Sequence, residues 1–140
     1  MNNKELYVDL ETAKKLKKLG FRWVCHRYYN AQYDTVRSVS DTFEMDFNDD
    51  EHMKRLHMDG AYSIPTLQMA NQWLRETHKL HVDVDPSEGD WNPCVIELED
   101  WTSVSGGITD VMDTYEEAYN VGINDACRYI EENELIKDLG

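Results

Sequence analysis

Long apolar runs and paired cysteines are both missing from this chain of 140 residues. No stretch approaches the roughly 20 apolar residues that a membrane-spanning helix needs, and the first residues lack the apolar segment of a signal peptide. Cys25, Cys94 and Cys127 are widely spaced without a C-x-x-C pair, which argues against a disulfide framework or a zinc knuckle. We therefore expect a cytoplasmic protein with free thiols and no membrane partner.

Basic residues are also scarce, with 14 Lys and Arg against 28 Asp and Glu, and the formal net charge is −14. This excess opposes direct binding to nucleic acid or to an anionic membrane, because both repel acidic proteins. It favours a protein partner with a basic surface. The alternative is that the acids serve solubility alone.

Aromatic residues, by contrast, are plentiful: 4 Trp, 8 Tyr and 3 Phe in a chain that is 41% apolar. A chain of this length typically forms one domain that buries roughly 68% of the surface exposed on unfolding. The sequence therefore predicts a single packed domain over residues 1–140 rather than disorder.

The clearest predicted element is a helix from 114 to 132. Between Tyr115 and Ile130 its apolar residues recur with the i, i+3, i+4, i+7 spacing of one buried face, and acidic residues fall between them. Thr114 and Glu117 have the spacing of a capping box, which marks the start of the helix.

The first part of the chain predicts a helix and a hairpin. Asp9 is a suitable N-cap and Gly20 a suitable stop for the first helix. The β-prone segments 21–29 and 34–39 would pair through a turn at 30–32. The acidic stretch 40–61 is then expected to be a solvated, mobile connection.

The second part predicts helix, strand, strand, helix. Ser63 or Thr66 would cap a helix that buries Trp73, and segments 80–84 and 94–99 alternate like strands joined by a long loop. Their alternation would place Leu80, Val82 and Val84 on one face with Cys94, Ile96 and Leu98. With a third strand near 101–109, the prediction is an α+β domain with helices packed on one face of a small antiparallel sheet.

Several groups of side chains match parts of known chemical sites. The oxygen-bearing residues Asp46, Asn48 and Asp50 begin like a calcium loop, but Glu51 stands where that loop needs glycine. The remaining candidates are the pairs His52 with His57, His78 with His81, and Cys25 with His26. No accompanying ligands complete the His pairs, and neighbours in a strand face opposite ways, so we predict no metal, no cofactor and no catalytic residue.

Exposed aromatic residues offer the best candidate surface for a partner. We predict that a protein partner is held mainly near Tyr33, Trp91 or Trp101. Two alternatives are an acidic mimic of DNA that inhibits a host nucleic-acid-binding protein, and a small hydrolase with an unrecognised site. A mimic would need the acids gathered into one phosphate-like surface, whereas we expect them to be dispersed.

Three segments, Glu11 to Tyr29, Ile64 to Glu76 and Tyr115 to Ala118, resemble an uncharacterised group of small acidic proteins encoded by bacterial phages and prophages. They follow the same order and are spread over most of the chain, from Glu11 to Ala118. The resemblance implies a phage accessory protein in the cytoplasm of a bacterium, and it implies no activity and no catalytic residue.

Overall fold

The computed structural model describes residues 6–104 and 111–139. Over these ranges the chain has an α+β fold with four α-helices and two antiparallel sheets of three strands, which confirms the predicted class. The fold comprises two compact units. We call residues 9–65 the N-terminal unit, and residues 66–139 together with 6–8 the C-terminal unit. In the described ranges no helix is both long enough and apolar enough to cross a membrane.

The N-terminal unit contains α1 (Leu10–Lys18), β1 (Arg27–Asn30), β2 (Thr35–Ser38), a 3-10 turn (Asp41–Phe43), α2 (Asp50–Arg55) and β3 (Ala61–Ser63). As predicted, the Asp9 carboxylate caps α1 by accepting a hydrogen bond of 2.8 Å from the Thr12 amide. Gly20 follows the helix with a φ of +97°, which favours glycine. The predicted pairing of β1 with β2 is confirmed, and β3 completes the sheet in the order β2-β1-β3.

The segment 40–61 belongs to the core of the N-terminal unit, so the prediction of a solvated connection is wrong. Phe47, Asn48 and Met53 are buried. The Asn48 side chain donates to the Phe21 carbonyl at 2.8 Å and accepts from the Ser63 amide at 3.0 Å. Among the acids of this stretch, Glu44, Asp50, Glu51 and Asp59 are exposed. The acidic composition of the stretch therefore gives no indication of the few side chains that are buried.

The C-terminal unit contains α3 (Leu67–Trp73), which continues as a π-helical turn (Leu74–His78), β4 (Leu80–Ser87), β5 (Asp90–Glu97), β6 (Thr102–Ser103) and α4 (Tyr115–Leu139). Helices α3 and α4 pack on one face of the β4-β5-β6 sheet. Trp73 and Ile123 are both buried, as predicted. Residues 105–109 of the predicted third strand lie outside the described ranges.

Side-chain caps fix where both helices of this unit begin. Thr66, rather than Ser63, caps α3, since its hydroxyl accepts from the Met69 amide at 3.1 Å. Thr114 caps α4 by accepting from the Glu117 amide at the same distance.

The hairpin of β4 and β5 differs from the prediction in its loop and its register. The strands continue to a two-residue turn at Glu88-Gly89, whose φ angles of 48° and 91° suit a type I′ turn. Pro86 and Pro93 therefore lie in the strands. Val82 pairs with Val95, so Val95 is buried, whereas Cys94 and Ile96 face the other way. A slip of one residue reverses every side chain of a strand, and this explains the error.

Gly122 sets the closest approach of α4 to the sheet. A Cβ atom at this position would overlap Val82 Cγ1 and would lie 3.4 Å from Pro93 Cβ. The absence of a side chain thus lets the helix lie directly on the hairpin.

Candidate functional site

The C-terminal unit contains an open groove of about 200 Å3 where the chain before α3 meets the first turns of α3 and α4. Its lining residues are Leu6, Thr66, Leu67, Gln68, Tyr115, Glu116 and Tyr119. The Tyr7–Thr66 bridge places the N-terminal segment, and the Thr66 cap places α3. Leu6 is 44% exposed and Tyr115 is 41% exposed. The groove therefore offers apolar surface to a ligand, and we call it the aromatic groove.

Three aromatic rings form a continuous row beside and within the aromatic groove. The Trp91 ring meets Tyr115 edge to face, with centroids 5.4 Å apart, and Tyr115 meets Tyr119 in the same way at 5.7 Å. Trp91 is itself held by two backbone hydrogen bonds with Met112, of 2.9 and 2.8 Å. Edge-to-face contacts of this kind are favourable. The half-exposed Tyr115 ring is consequently held between two fixed neighbours.

Asn71 fixes the inner end of this row. Its amide nitrogen donates to the Tyr119 hydroxyl at 2.9 Å and to the Val82 carbonyl at 3.0 Å, and its amide oxygen accepts from the Val82 amide at 2.9 Å. Burial raises the pKa of Tyr119, and the hydrogen bond from Asn71 offsets part of that rise. Tyr119 is therefore a neutral phenol that forms the floor of the groove.

Of the three aromatic residues predicted to bind a partner, the structure connects only Trp91 with the groove. Trp101 is 78% exposed and lies in the turn after β5, at the opposite end of that strand from Trp91. Tyr33 is 64% exposed in the β1–β2 turn of the N-terminal unit. The three side chains are thus not brought together as one site by the contacts within either unit.

No pattern in the sequence predicts that Tyr115 lines a groove. Its spacing predicts a place on the buried face of the helix, and the observed exposure corrects this. Ala118 and Ile123, on the same predicted face, are buried. Tyr115 differs in that it lies in the first turn of α4, where its ring borders the groove and is 41% exposed.

A second cleft, of about 220 Å3, lies at the end of the β4–β5 hairpin that is away from the Glu88-Gly89 turn. Its lining residues are His78, Lys79, Leu80, Glu97, Glu99, Tyr129, Ile130, Asn133 and Glu134. Tyr129 donates to Glu97 at 3.0 Å. Burial lowers the pKa of His78, and nearby Glu134 opposes this shift. No Ser, Thr or Cys is among these lining residues, and the hydroxyl that is present, that of Tyr129, is the one that donates to Glu97.

The carboxylates that begin like a calcium loop have structural partners. Asp46 accepts from the Asn48 amide at 2.9 Å and from Arg22 Nε at 2.6 Å. Asp50 pairs with Lys17 at 2.6 Å. Across residues 6–104 and 111–139, no group of three His, Cys, Asp or Glu side chains is placed to hold a metal ion.

Cys25 is placed as a core residue of the N-terminal unit. It is 2% exposed, and burial raises the pKa of its thiol to about 12. The thiol is therefore protonated at neutral pH, whereas a nucleophilic cysteine reacts as the thiolate. Its neighbour His26 does not change this conclusion.

Comparisons of the chain with protein-family models, with curated proteins and with solved structures find no match. The resemblance of the three segments to phage proteins accordingly stays a prediction.

Proposed function

We propose that the protein is a non-enzymatic binding module whose C-terminal unit holds a protein partner in the aromatic groove. The observation that carries this proposal is the row Trp91, Tyr115 and Tyr119, in which the two outer rings contact a central ring that is 41% exposed. Aromatic side chains held in place by their neighbours are typical of the centres of protein interfaces, because little side-chain entropy is lost on binding.

The setting proposed for this activity is that of a phage accessory protein acting on a host or phage protein. It is supported only by the resemblance of the three segments. A hydrolase is less well supported, since the Thr66 hydroxyl of the groove serves as the cap of α3 by accepting from the Met69 amide.

Capture of partners from a bacterial lysate tests the proposal when wild type is compared with three single variants. Tyr115→Ser should lose the captured protein, because it removes the exposed ring of the groove. Tyr33→Ser and Trp101→Ser are matched controls that remove exposed aromatic residues elsewhere, and they should retain it. Thermal unfolding of each variant verifies that the fold persists. Loss with Trp101→Ser and retention with Tyr115→Ser would move the binding surface to the β5–β6 turn.

A further inference from the structure

The negative charge of the protein belongs almost entirely to the C-terminal unit. Residues 9–65 contain nine Lys and Arg and ten Asp and Glu, so the N-terminal unit has a net charge of −1. The rest of the chain contains five basic and eighteen acidic residues, which gives −13. The unit that carries the aromatic groove is thus also the acidic one.

One stretch that contributes to the groove contains no Lys or Arg. Between Lys79 and Arg128 the sequence has twelve Asp and Glu but no Lys or Arg. This stretch supplies Trp91, Tyr115 and the start of α4. Among the lining residues of the groove, Glu116 is charged and none is basic. The lining is therefore negative at Glu116, and a cation that acts on a lining residue is Arg75, whose charge reaches the Tyr119 hydroxyl.

We infer that the partner segment places one apolar side chain in the aromatic groove and carries Lys or Arg beside it. This inference rests on the proposed function and specifies its partner. The apolar side chain would pack on Tyr115 and Leu67, and the cations would lie near Glu116 and the exposed Glu117. Cations beside aromatic rings gain further from the negative ring faces. A neutral segment would forgo this attraction, and an acidic one would be repelled.

If the protein were a mimic of DNA, its affinity for a partner would depend differently on the aromatic groove. A mimic binds a basic surface through carboxylates alone, so its affinity would not require an apolar side chain in the ligand. The half-exposed Tyr115 and Leu6 instead present apolar area at the site. The combination of apolar and acidic surface favours a basic segment with an apolar anchor over a purely basic one.

Four synthetic peptides provide the test. Three are Gly-Ser dodecamers with one central Leu, flanked on both sides by two Lys, two Ser or two Glu, and the fourth is the Lys peptide with Ser in place of Leu. Calorimetric titration at low salt should show the Lys peptide binding at least about fivefold more tightly than the Ser peptide, with the Glu peptide weakest. Added NaCl should reduce the differences in affinity among the Lys, Ser and Glu peptides. The Lys peptide with Ser in place of Leu should bind at least about fivefold more weakly than the Lys peptide that contains Leu.

Variants of the protein locate the effect. The double variant Glu116→Gln and Glu117→Gln should reduce the preference for Lys over Ser peptides. The matched control Glu132→Gln changes an exposed acid farther along α4 and should leave the preference intact. Tyr115→Ser should weaken the binding of the Lys peptide and of the Ser peptide to the same extent. Folding of each variant is verified by circular dichroism.

The outcomes separate the inference from the proposed function. Equal affinity for the Lys and Ser peptides, or no binding of any peptide, would overturn the inference. If Tyr115→Ser nevertheless abolished capture of the lysate partner, the proposed function would stand without it. If the Leu proved dispensable and binding vanished in moderate salt, mimicry would replace the inference.

Discussion

Asn71 is the residue whose side chain joins three elements of the C-terminal unit. From α3 it bonds both backbone polar groups of Val82 in β4 and the Tyr119 hydroxyl in α4. Because β4 is an edge of its sheet, these bonds satisfy groups for which a neighbouring strand would otherwise be needed. Helical spacing does not indicate such a role, since it classes an Asn only as polar.

Replacing Asn71 with Ala should destabilise the protein by about 3 kcal/mol, because it leaves three buried polar groups without their partner. Urea unfolding measures the change in the free energy of unfolding. Gln72→Ala is the matched control, since Gln72 is the next residue of the helix and is exposed. A loss below about 1 kcal/mol for Asn71→Ala would show that water replaces the side chain.

The three thiols should differ in their reaction with iodoacetamide. Cys25 and Cys127 are buried, and the pKa of Cys25 is raised to about 12, so neither should react in the folded protein at pH 8. Cys94 is partly exposed and should be alkylated first. Mass spectrometry should find one label per native chain and three in urea. Early labelling of Cys25 would contradict its burial and reopen the Cys25–His26 pair as a nucleophile.

His78 should make stability depend on pH near neutrality. Burial lowers the pKa of His78 in the folded state below its ordinary value of about 6.5, so the unfolded chain binds the proton more readily. Its contribution is complete above about pH 6.5 and is lost as the pH falls from that value through the lower pKa of the folded state. The imidazole lies edge-on to Trp73 at 5.0 Å, where a charge is poorly solvated.

The measurement is urea unfolding of wild type and His78→Gln between pH 5 and 7. The wild type should lose stability with acid more steeply than the variant. His57→Gln, at an exposed position, should follow the wild type. Equal slopes for wild type and His78→Gln would mean that Glu134 cancels the effect of burial.

At the scale of the elements, the contact of α4 with the hairpin is decided by Gly122 and Val82. Alanine is the better helix former by about 1 kcal/mol, but a methyl group at 122 overlaps Val82 Cγ1. Since overpacking costs about 1–3 kcal/mol, Gly122→Ala should be destabilising in the wild type. In a Val82→Ala background the same change should become neutral or stabilising. A double-mutant cycle by chemical denaturation measures this reversal of sign.

The elements that the sequence predicts best are those with local signals. Asp9, Thr66 and Thr114 cap their helices within a few residues, and helical periodicity identifies the faces that hold Trp73 and Ile123. The predictions are wrong where the structure depends on a turn that was not recognised or on residues that are distant in sequence. The register of β4 on β5 is set by the short Glu88-Gly89 turn, where the sequence predicts a long loop. The burial of Asn48 depends on Phe21 and Ser63, which are distant in sequence.

The candidate site was less predictable than the fold for the same reason. Trp91 could be proposed from its aromatic character alone. The groove depends on three separate segments, which supply Leu6, Leu67 and Tyr115. No short-range pattern joins these segments, so only the folded structure identifies them as neighbours.

For the molecule as a whole, the uneven charge predicts opposite responses to salt. In the N-terminal unit, Lys17 pairs with Asp50 and Arg22 pairs with Asp46, both at 2.6 Å, and salt screens such exposed pairs. In the C-terminal unit, where the net charge is −13, the acidic side chains repel one another, and salt screens that repulsion. Added salt should therefore stabilise the C-terminal unit while leaving the N-terminal unit unchanged or slightly weaker.

Amide hydrogen exchange in about 0.02 M and about 0.5 M NaCl follows each unit separately. Protection should rise in β4, β5 and α4, and should stay level or fall in α1 and α2. The double variant Asp83→Asn and Asp85→Asn, at exposed positions, should show a smaller rise because it lowers the repulsion before salt is added. An equal rise in both units would indicate a general effect of salt on the burial of apolar surface. In that case the concentration of charge in the C-terminal unit would have no bearing on its stability.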